Sequence, residues 1–227
     1  RGGNTGIADA DNLAWKIAAI HHGRATPALL KSYNEERHQA AEQNIRVTRR
    51  TAHFLRPKDG MEKLFRTATI ALARRHAFAR PLINTGRMAE ANRYTKSSIC
   101  STGGGLSMPN APLQWVNGQK AQWRDVLAWA QGRLVLLVFG TLSRSDAQRL
   151  RELSVGADVR VIQVVNHAKD AQAHEVIVDT KALVQSAAQA SQARWSLIRP
   201  DSYVAAVGSH LDGGLVKAVS RAMALSV

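Results

Sequence analysis

Apolar residues recur at helical spacing through roughly the first ninety positions and gather into short continuous runs after position 113, so the two halves of the chain predict different kinds of structure. An amphipathic helix is expected over 7–22, closed by Gly23. Thr26-Pro27 supplies an N-cap followed by a proline at the first helical position, and the helical pattern continues through Tyr33, Glu36 and Ala40 to about Phe54, where Arg56-Pro57 breaks it. Asp59-Gly-Met-Glu62 has the form of a capping box and opens a third helix to about Ala77, with Leu64, Ile70 and Leu72 among its apolar positions. A shorter helical stretch covers 79–92.

Between Lys96 and Pro112 the composition shifts to Ser, Gly and Pro, including Gly103-Gly-Gly105, which marks a linker or long loop. Beyond it strands alternate with helices. Leu134–Phe139 is apolar throughout, as in a strand buried on both faces, and Val159–Val165 is a second strand. Helical stretches are expected at 123–131 and 145–153. Trp195–Ile198, the turn Arg199-Pro200-Asp201-Ser202 and Tyr203–Val207 form a hairpin with proline where a type I turn wants it, and a last helix covers 213–225. The expected class is α/β, with a helical region at 1–95, a linker at 96–112 and a second domain at 113–227.

A chain of 227 residues with 45% hydrophobic content and a mean hydropathy of −0.22 can bury a core. It has no run approaching eighteen apolar residues and no basic-then-apolar leader, so neither a membrane span nor an export signal is expected. The one cysteine, Cys100, excludes an internal disulfide and suits a reducing cytoplasm; without a basic neighbour in sequence or a partner thiol it reads as incidental. The formal net charge of +14 sits mainly in residues 1–100, with 18 Lys and Arg against 8 Asp and Glu. Arg46, Arg49, Arg50, Arg56, Lys58, Lys63 and Arg66 could track phosphates, yet aromatics are sparse among them and no nucleic-acid-binding signature accompanies them. A solvated basic helix face is the simpler reading, and a basic nucleic-acid module is the weaker alternative.

The candidate chemistry lies in the first sixteen residues, where Gly2, Gly3 and Gly6 make a glycine-rich loop running into the first helix, an arrangement that suits an electron-rich group. Asp9 and Asp11 near the helix start need only a structural role. His21 and His22 point about 100° apart on a helix and cannot share a metal, and no metal site or catalytic residue is assigned.

Gly3-Asn4-Thr5-Gly6-Ile7, Asp9, Asp11-Asn12-Leu13-Ala14-Trp15-Lys16 and Ser32-Tyr33-Asn34-Glu35-Glu36-Arg37 together resemble the C-terminal side of the FAD-binding domain in the group A flavin-dependent aromatic-ring monooxygenases. The resemblance is to the phenol and hydroxyphenylpropionate hydroxylases within the para-hydroxybenzoate hydroxylase superfamily. It implies that the N–H groups of Gly3 and Asn4, with Gly2 and Thr5 as neighbours, face the flavin pyrimidine edge. It also implies FAD as cofactor, NADPH or NADH as reductant, and a phenolic or other aromatic substrate held by a part of the protein outside these residues.

The upstream Gly-x-Gly-x-x-Gly strand-turn and the Gly-Asp motif of that family do not occur here, and the sequence opens at Arg1. This reads as the C-terminal piece of a longer protein that would not turn over substrate alone. The β-α-β then β-hairpin-α order after 113 resembles a thioredoxin-like domain, as found at the C-terminus of several such hydroxylases. Gly140-Thr-Leu-Ser-Arg144 stands where a Cys-x-x-Cys pair would be, so dithiol chemistry is excluded. A packing or homodimerisation role is implied, and a non-catalytic interaction module is the alternative to the enzyme reading.

Overall fold

The structure, a computed structural model, describes residues 2–83, 91–101, 103–156 and 159–225. The chain divides into two compact units, one formed by Arg1–Arg37 with Arg93–Val227 and the other by His38–Asn92.

The larger unit is built on a seven-stranded mixed sheet in the order β2-β1-β5-β4-β3-β6-β7. Its strands are β1 Pro112–Trp115, β2 Lys120–Gln122, β3 Val135–Phe139, β4 Arg160–Val165, β5 Val176–Val178, β6 Trp195–Ile198 and β7 Val204–Gly208. The centre is parallel, with Val135 opposite Arg160 and Phe139 opposite Val164 between β3 and β4, and with β4 parallel to β5. Antiparallel pairs complete both sides, β1 on β5 and β6 on β3.

Strand β3 shows why the 134–139 run had to be apolar throughout. Successive side chains point to opposite faces, so Leu136 and Val138 enter one core while Val135, Leu137 and Phe139 enter the other. On the first face they meet Trp15 and Ala19 of helix α1 (Gly2–His21) and Leu215, Val219 and Ala222 of helix α8 (Gly213–Ala222). On the second they meet Trp123 and Val126 of helix α5 (Trp123–Ala130) and Val184 of helix α7 (Leu183–Ala187). Helix α6 (Arg144–Gly156) contributes Leu150 to the first core.

Local sequence explains most boundaries. Helix α1 ends at His21, and Gly23 at φ +69 takes the left-handed position beyond it, with Arg24 N donating to Ala19 O at 2.8 Å. Thr26 does not cap the next helix as expected. Its hydroxyl donates to Ala224 O at 2.8 Å, and helix α2 (Leu29–Leu55) starts two residues after Pro27. The expected second strand, hairpin and last helix fall within two or three residues of their observed limits.

The glycine-rich segment before the sheet is irregular, as a loop should be, but it is packed rather than free. Ser101 N donates to Ala205 O, Gly105 N to Val204 O, and Val204 N to Leu106 O, so the segment runs along β7. A Cβ on Gly104 would lie 2.3 Å from Ala205 O, and one on Gly105 would lie 2.4 Å from Tyr94 O. These glycines permit close backbone approach and do not serve flexibility.

In the His38–Asn92 unit, helix α3 (Gly60–Arg75) is capped by Asp59, whose side chain accepts from Glu62 N at 2.9 Å. Glu62 reaches Lys58 N instead of closing the box on Asp59. Leu64, one of the apolar positions of α3, is 63% exposed, and Thr69 and Ala73 are the buried positions of that helix. Leu64 lies on the opposite side of the helix from Thr69 and Ala73. Arg46, Arg49, Arg50, Arg56, Lys58 and Lys63 are exposed, as a solvated face would be, while Arg66 of the same set is half-buried. Helix α4 covers Arg80–Ile83, and the rest of the helical stretch expected over 79–92 falls largely outside the described residues. Among the described residues no helix is long and apolar enough to cross a membrane.

Candidate functional site

Helix α1 begins at Gly2, so Gly2, Gly3, Asn4 and Thr5 form its first turn and not a loop ahead of it, which corrects the sequence reading of 1–6. Once a helix is nucleated, each added residue gains a backbone hydrogen bond, which offsets the cost of about 1 kcal/mol per glycine relative to alanine. Gly2, Gly3 and Asn4 are exposed and Thr5 is half-buried. The backbone N–H groups of Gly2, Gly3 and Asn4 lie in this turn.

A Cβ placed on Gly2, Gly3 or Gly6 would meet nothing within 4 Å, so a planar group can approach this backbone without obstruction. The donors are N–H groups backed by the positive end of the helix dipole. They suit carbonyl oxygens or an anionic edge, which is what the FAD pyrimidine ring presents, and they do not suit a cation.

From Asn12 onward α1 is fixed by a buried polar cluster that sequence reasoning did not assemble. Asn12 and Lys16, one turn apart on α1, meet Glu36 on α2 and the Arg199–Asp201 turn between β6 and β7. Lys16 Nζ donates to Glu36 Oε2 and to Asn12 Oδ1, each at 2.9 Å, and Asn12 Nδ2 donates to Glu36 Oε2 at 2.7 Å and to Asp201 Oδ2 at 3.1 Å.

Arg199 forks both ways. Its Nη1 and Nη2 donate to the two oxygens of Glu36 at 2.5 and 2.9 Å, while Nε and Nη2 donate to Asp201 at 2.9 and 2.5 Å. Ser97 Oγ donates to Glu36 Oε1 at 2.6 Å. The guanidinium carbon lies 5.3 Å from the Trp15 ring centre, 5.7 Å from Tyr94 and 5.5 Å from Tyr203, and the two tyrosine rings stack at 4.2 Å. A second tie runs from Asp9 Oδ1 to Arg37 Nε at 2.5 Å and from Arg37 Nη1 to Tyr94 Oη at 2.7 Å.

The side chains of Lys16, Glu36 and Arg199 are fully buried. Burial alone would push the Glu36 carboxyl up, but the Arg199 guanidinium and the Lys16 ammonium outweigh it and hold the group down at about 2. Burial lowers Lys16, with Glu36 opposing. Arg199 is held well above its ordinary value because Asp201 and Glu36 outweigh its desolvation. Burial, joined by the neighbouring Tyr94, raises Tyr203. The cluster is ionised and closely satisfied, so it is suited to holding elements in register and not to exchanging protons near neutral pH.

The remaining candidates do not form reactive sites. Cys100 sits against this cluster, with Sγ 3.7 Å from Arg199 Nη1, and burial pushes its thiol up despite the guanidinium. After β3, where a dithiol would act, Gly140 N donates to Val164 O and Arg194 donates to the carbonyls of Phe139 and Thr141. His21 and His22 meet edge to face at 5.2 Å, and no group of three metal-ligating side chains occurs among the described residues.

The sequence contained a signal for the buried cluster. Lys16 stands between Trp15 and Ala19 on the side of α1 that must be apolar, and a charge there requires a partner. What the spacing could not supply was the identity of that partner, Glu36, 20 positions further on and itself shared with Arg199.

Residues 1–48 match the family model described as an FAD binding domain. The chain is 35% identical over 127 residues to the tetracenomycin B2 monooxygenase-dioxygenase of Streptomyces olivaceus, which covers 55% of this chain and 21% of that protein. It is 26% identical over 239 residues to a 3-(3-hydroxy-phenyl)propionate/3-hydroxycinnamic acid hydroxylase of Burkholderia vietnamiensis, covering 99% of this chain and 43% of the relative. Among solved structures, CabE, an aromatic hydroxylase from angucycline biosynthesis, superposes with a TM-score of 0.67 at 25% identity over 100% of this chain and 42% of its own. The chain thus spans well under half the length of each of these relatives.

Proposed function

We propose that the chain is part of an FAD-dependent aromatic-ring monooxygenase, an enzyme that hydroxylates a phenolic or other aromatic substrate. FAD is the cofactor, and NADH or NADPH the reductant. The observation that carries the reading is the open first turn of α1, with unobstructed backbone at Gly2 and Gly3, inside the segment matched as an FAD binding domain.

In this reading Gly3 and Asn4, flanked by Gly2 and Thr5, present N–H donors to the pyrimidine edge of the flavin. The helix dipole favours negative charge at that edge. Bound flavin supplies the redox and oxygen chemistry, and this chain's residues bind and orient it. No residue of this chain is assigned a catalytic role. Substrate contacts belong to parts of the enzyme beyond residues 1–227, and the chain alone is inactive.

The domain plan of this reading is residues 1–95 as the end of the flavin domain with its helical extension, 96–112 as the connection and 113–227 as a thioredoxin-like domain without dithiol chemistry. Support for the last comes from the pairing β4-β3-β6-β7, with β3 and β4 parallel across α6 and β6 and β7 closing as a hairpin before α8. A homodimer in the cytoplasm completes the proposal. The exposed apolar surface of the 38–92 unit, including Ile45, Met61, Phe65 and Leu82 around a groove of about 970 Å³, supports it.

The direct experiment is titration of the purified chain with FAD, followed by flavin fluorescence and the band near 450 nm. Saturable binding of FAD, with riboflavin as the control for non-specific association, is the expected result. A chain that leaves FAD free at high micromolar concentration overturns the assignment of the cofactor to these residues.

A further inference from the structure

We propose that Arg199 and Asp201, carried on the turn between β6 and β7, are positioning residues for the first turn of α1. The proposal rests on the FAD reading for what that turn holds. It goes beyond that reading in giving the sheet region a task at the cofactor.

The observations concern how α1 is supported. Residues 2–11 are exposed apart from partial burial at Thr5 and Asp9, and Ile7 is 71% exposed, so the N-terminal half of the helix projects from its unit. Full burial begins at Asn12, and there the helix meets the polar cluster before it meets the apolar core at Trp15 and Ala19. Apolar packing tolerates small rotations and slides, whereas a forked guanidinium between two carboxylates does not. Arg199 satisfies Glu36 and Asp201 together, and each carboxylate also accepts from Asn12. Rotating α1 by part of a turn would break the Asn12 and Lys16 bonds at once and leave buried charge uncompensated.

Gly3 lies nine residues before Asn12, about 13 Å along the axis at 1.5 Å per residue. Over that lever a tilt of about 5° at the cluster moves the N–H donors by about 1 Å, a displacement that can cost on the order of a hundredfold at a preorganised site. The Asp9–Arg37–Tyr94 tie shortens the lever, and it too returns to the β6–β7 turn through the stacked ring of Tyr203. Orientation of the α1 donors is therefore set from the far end of the sequence.

The test uses Arg199→Lys, which keeps a cation but removes the fork, and Asp201→Asn, which keeps the shape but removes a charge. Amide hydrogen exchange is measured along the chain with and without FAD, together with FAD affinity and the reduction potential of bound flavin. Exchange in α1 is expected to accelerate at least tenfold in each variant while β3 and β4 amides stay protected, which also verifies that the sheet is folded. FAD affinity is expected to fall at least tenfold, and the potential of any flavin still bound to become more negative, a change that a general loss of stability would not produce. Unchanged α1 exchange overturns the proposal, and so does loosened α1 with unaltered flavin affinity and potential. A wild-type chain that does not bind FAD refutes the cofactor reading itself. The exchange comparison needs no flavin and still decides whether the turn holds α1.

Discussion

Replacing Glu36 with Gln removes the one charge that Lys16 and Arg199 share, and the cost can be worked in two ways. Glu36 Oε2 accepts from Asn12, Lys16 and Arg199, while Oε1 accepts from Arg199 and Ser97. Every bond at both oxygens comes from a donor, so whichever becomes the NH2 of Gln faces donors only. Breaking a buried ion pair by neutralising one partner costs roughly 3–5 kcal/mol.

Linkage gives a similar figure. With Glu36 held at about 2 instead of its ordinary 4.5, the ionised carboxylate contributes about 3 kcal/mol at neutral pH. The carboxyl is depressed in the folded state, so this stability is complete above about pH 4.5 and is lost as pH falls towards 2, with about 1.4 kcal/mol left at pH 3.

Urea unfolding followed by tryptophan fluorescence reads the right unit, because Trp15, Trp115, Trp123, Trp129 and Trp195 all fall in the unit containing the cluster. The midpoint of Glu36→Gln is expected to drop by about 1 M or more at pH 7 for a slope of about 2–3 kcal/mol per M, and the gap to the wild type is expected to narrow by more than half at pH 3. A loss under about 0.5 kcal/mol at pH 7, or a gap that stays constant down to pH 3, refutes the claim that the cluster is held together by an ionised Glu36.

Other perturbations separate the remaining parts of the account. Gly104→Ala puts a Cβ 2.3 Å from the Ala205 carbonyl and is expected to cost roughly 1–3 kcal/mol or more in the same unfolding assay, whereas Gly156→Ala, whose Cβ meets nothing within 4 Å, is expected to be neutral or mildly stabilising. Cys100 is expected to react with a thiol reagent at pH 8 at least tenfold more slowly in the native chain than in urea, since the residue is half-buried and desolvation pushes its thiol up. Sedimentation of the chain at micromolar concentration checks the homodimer, and a monomer throughout that range counts against it.

The sheet was legible where side-chain chemistry is one-sided. An unbroken apolar run forces a strand covered on both faces, and Arg199-Pro200-Asp201 between two apolar stretches forces a hairpin turn. Strands β1, β2 and β5 escaped because each has three or four residues, too few for an alternation to emerge. The start of α1 was misread because Gly-Gly-Asn argues for a loop by propensity, while helix propagation from residues 7–21 costs less than the glycines suggest. Leu64 is an apolar position of α3 that lies exposed, because spacing does not say which face of a helix finds a neighbour. The positioning cluster was written in three separate strings, at Asn12-Lys16, Glu36-Arg37 and Arg199-Asp201, and only folding across more than 180 positions brings them to hydrogen-bonding distance.

The central claim is that backbone N–H groups at the start of α1 hold FAD, and the most direct test deletes one of them. Gly3→Pro removes the donor within the first described turn of α1, where proline is tolerated, so the helix is expected to persist by circular dichroism. With the wild-type chain binding FAD, the account predicts that this variant binds it at least tenfold more weakly while unfolding at the same urea concentration. Equal affinity in the two proteins would contradict the claim.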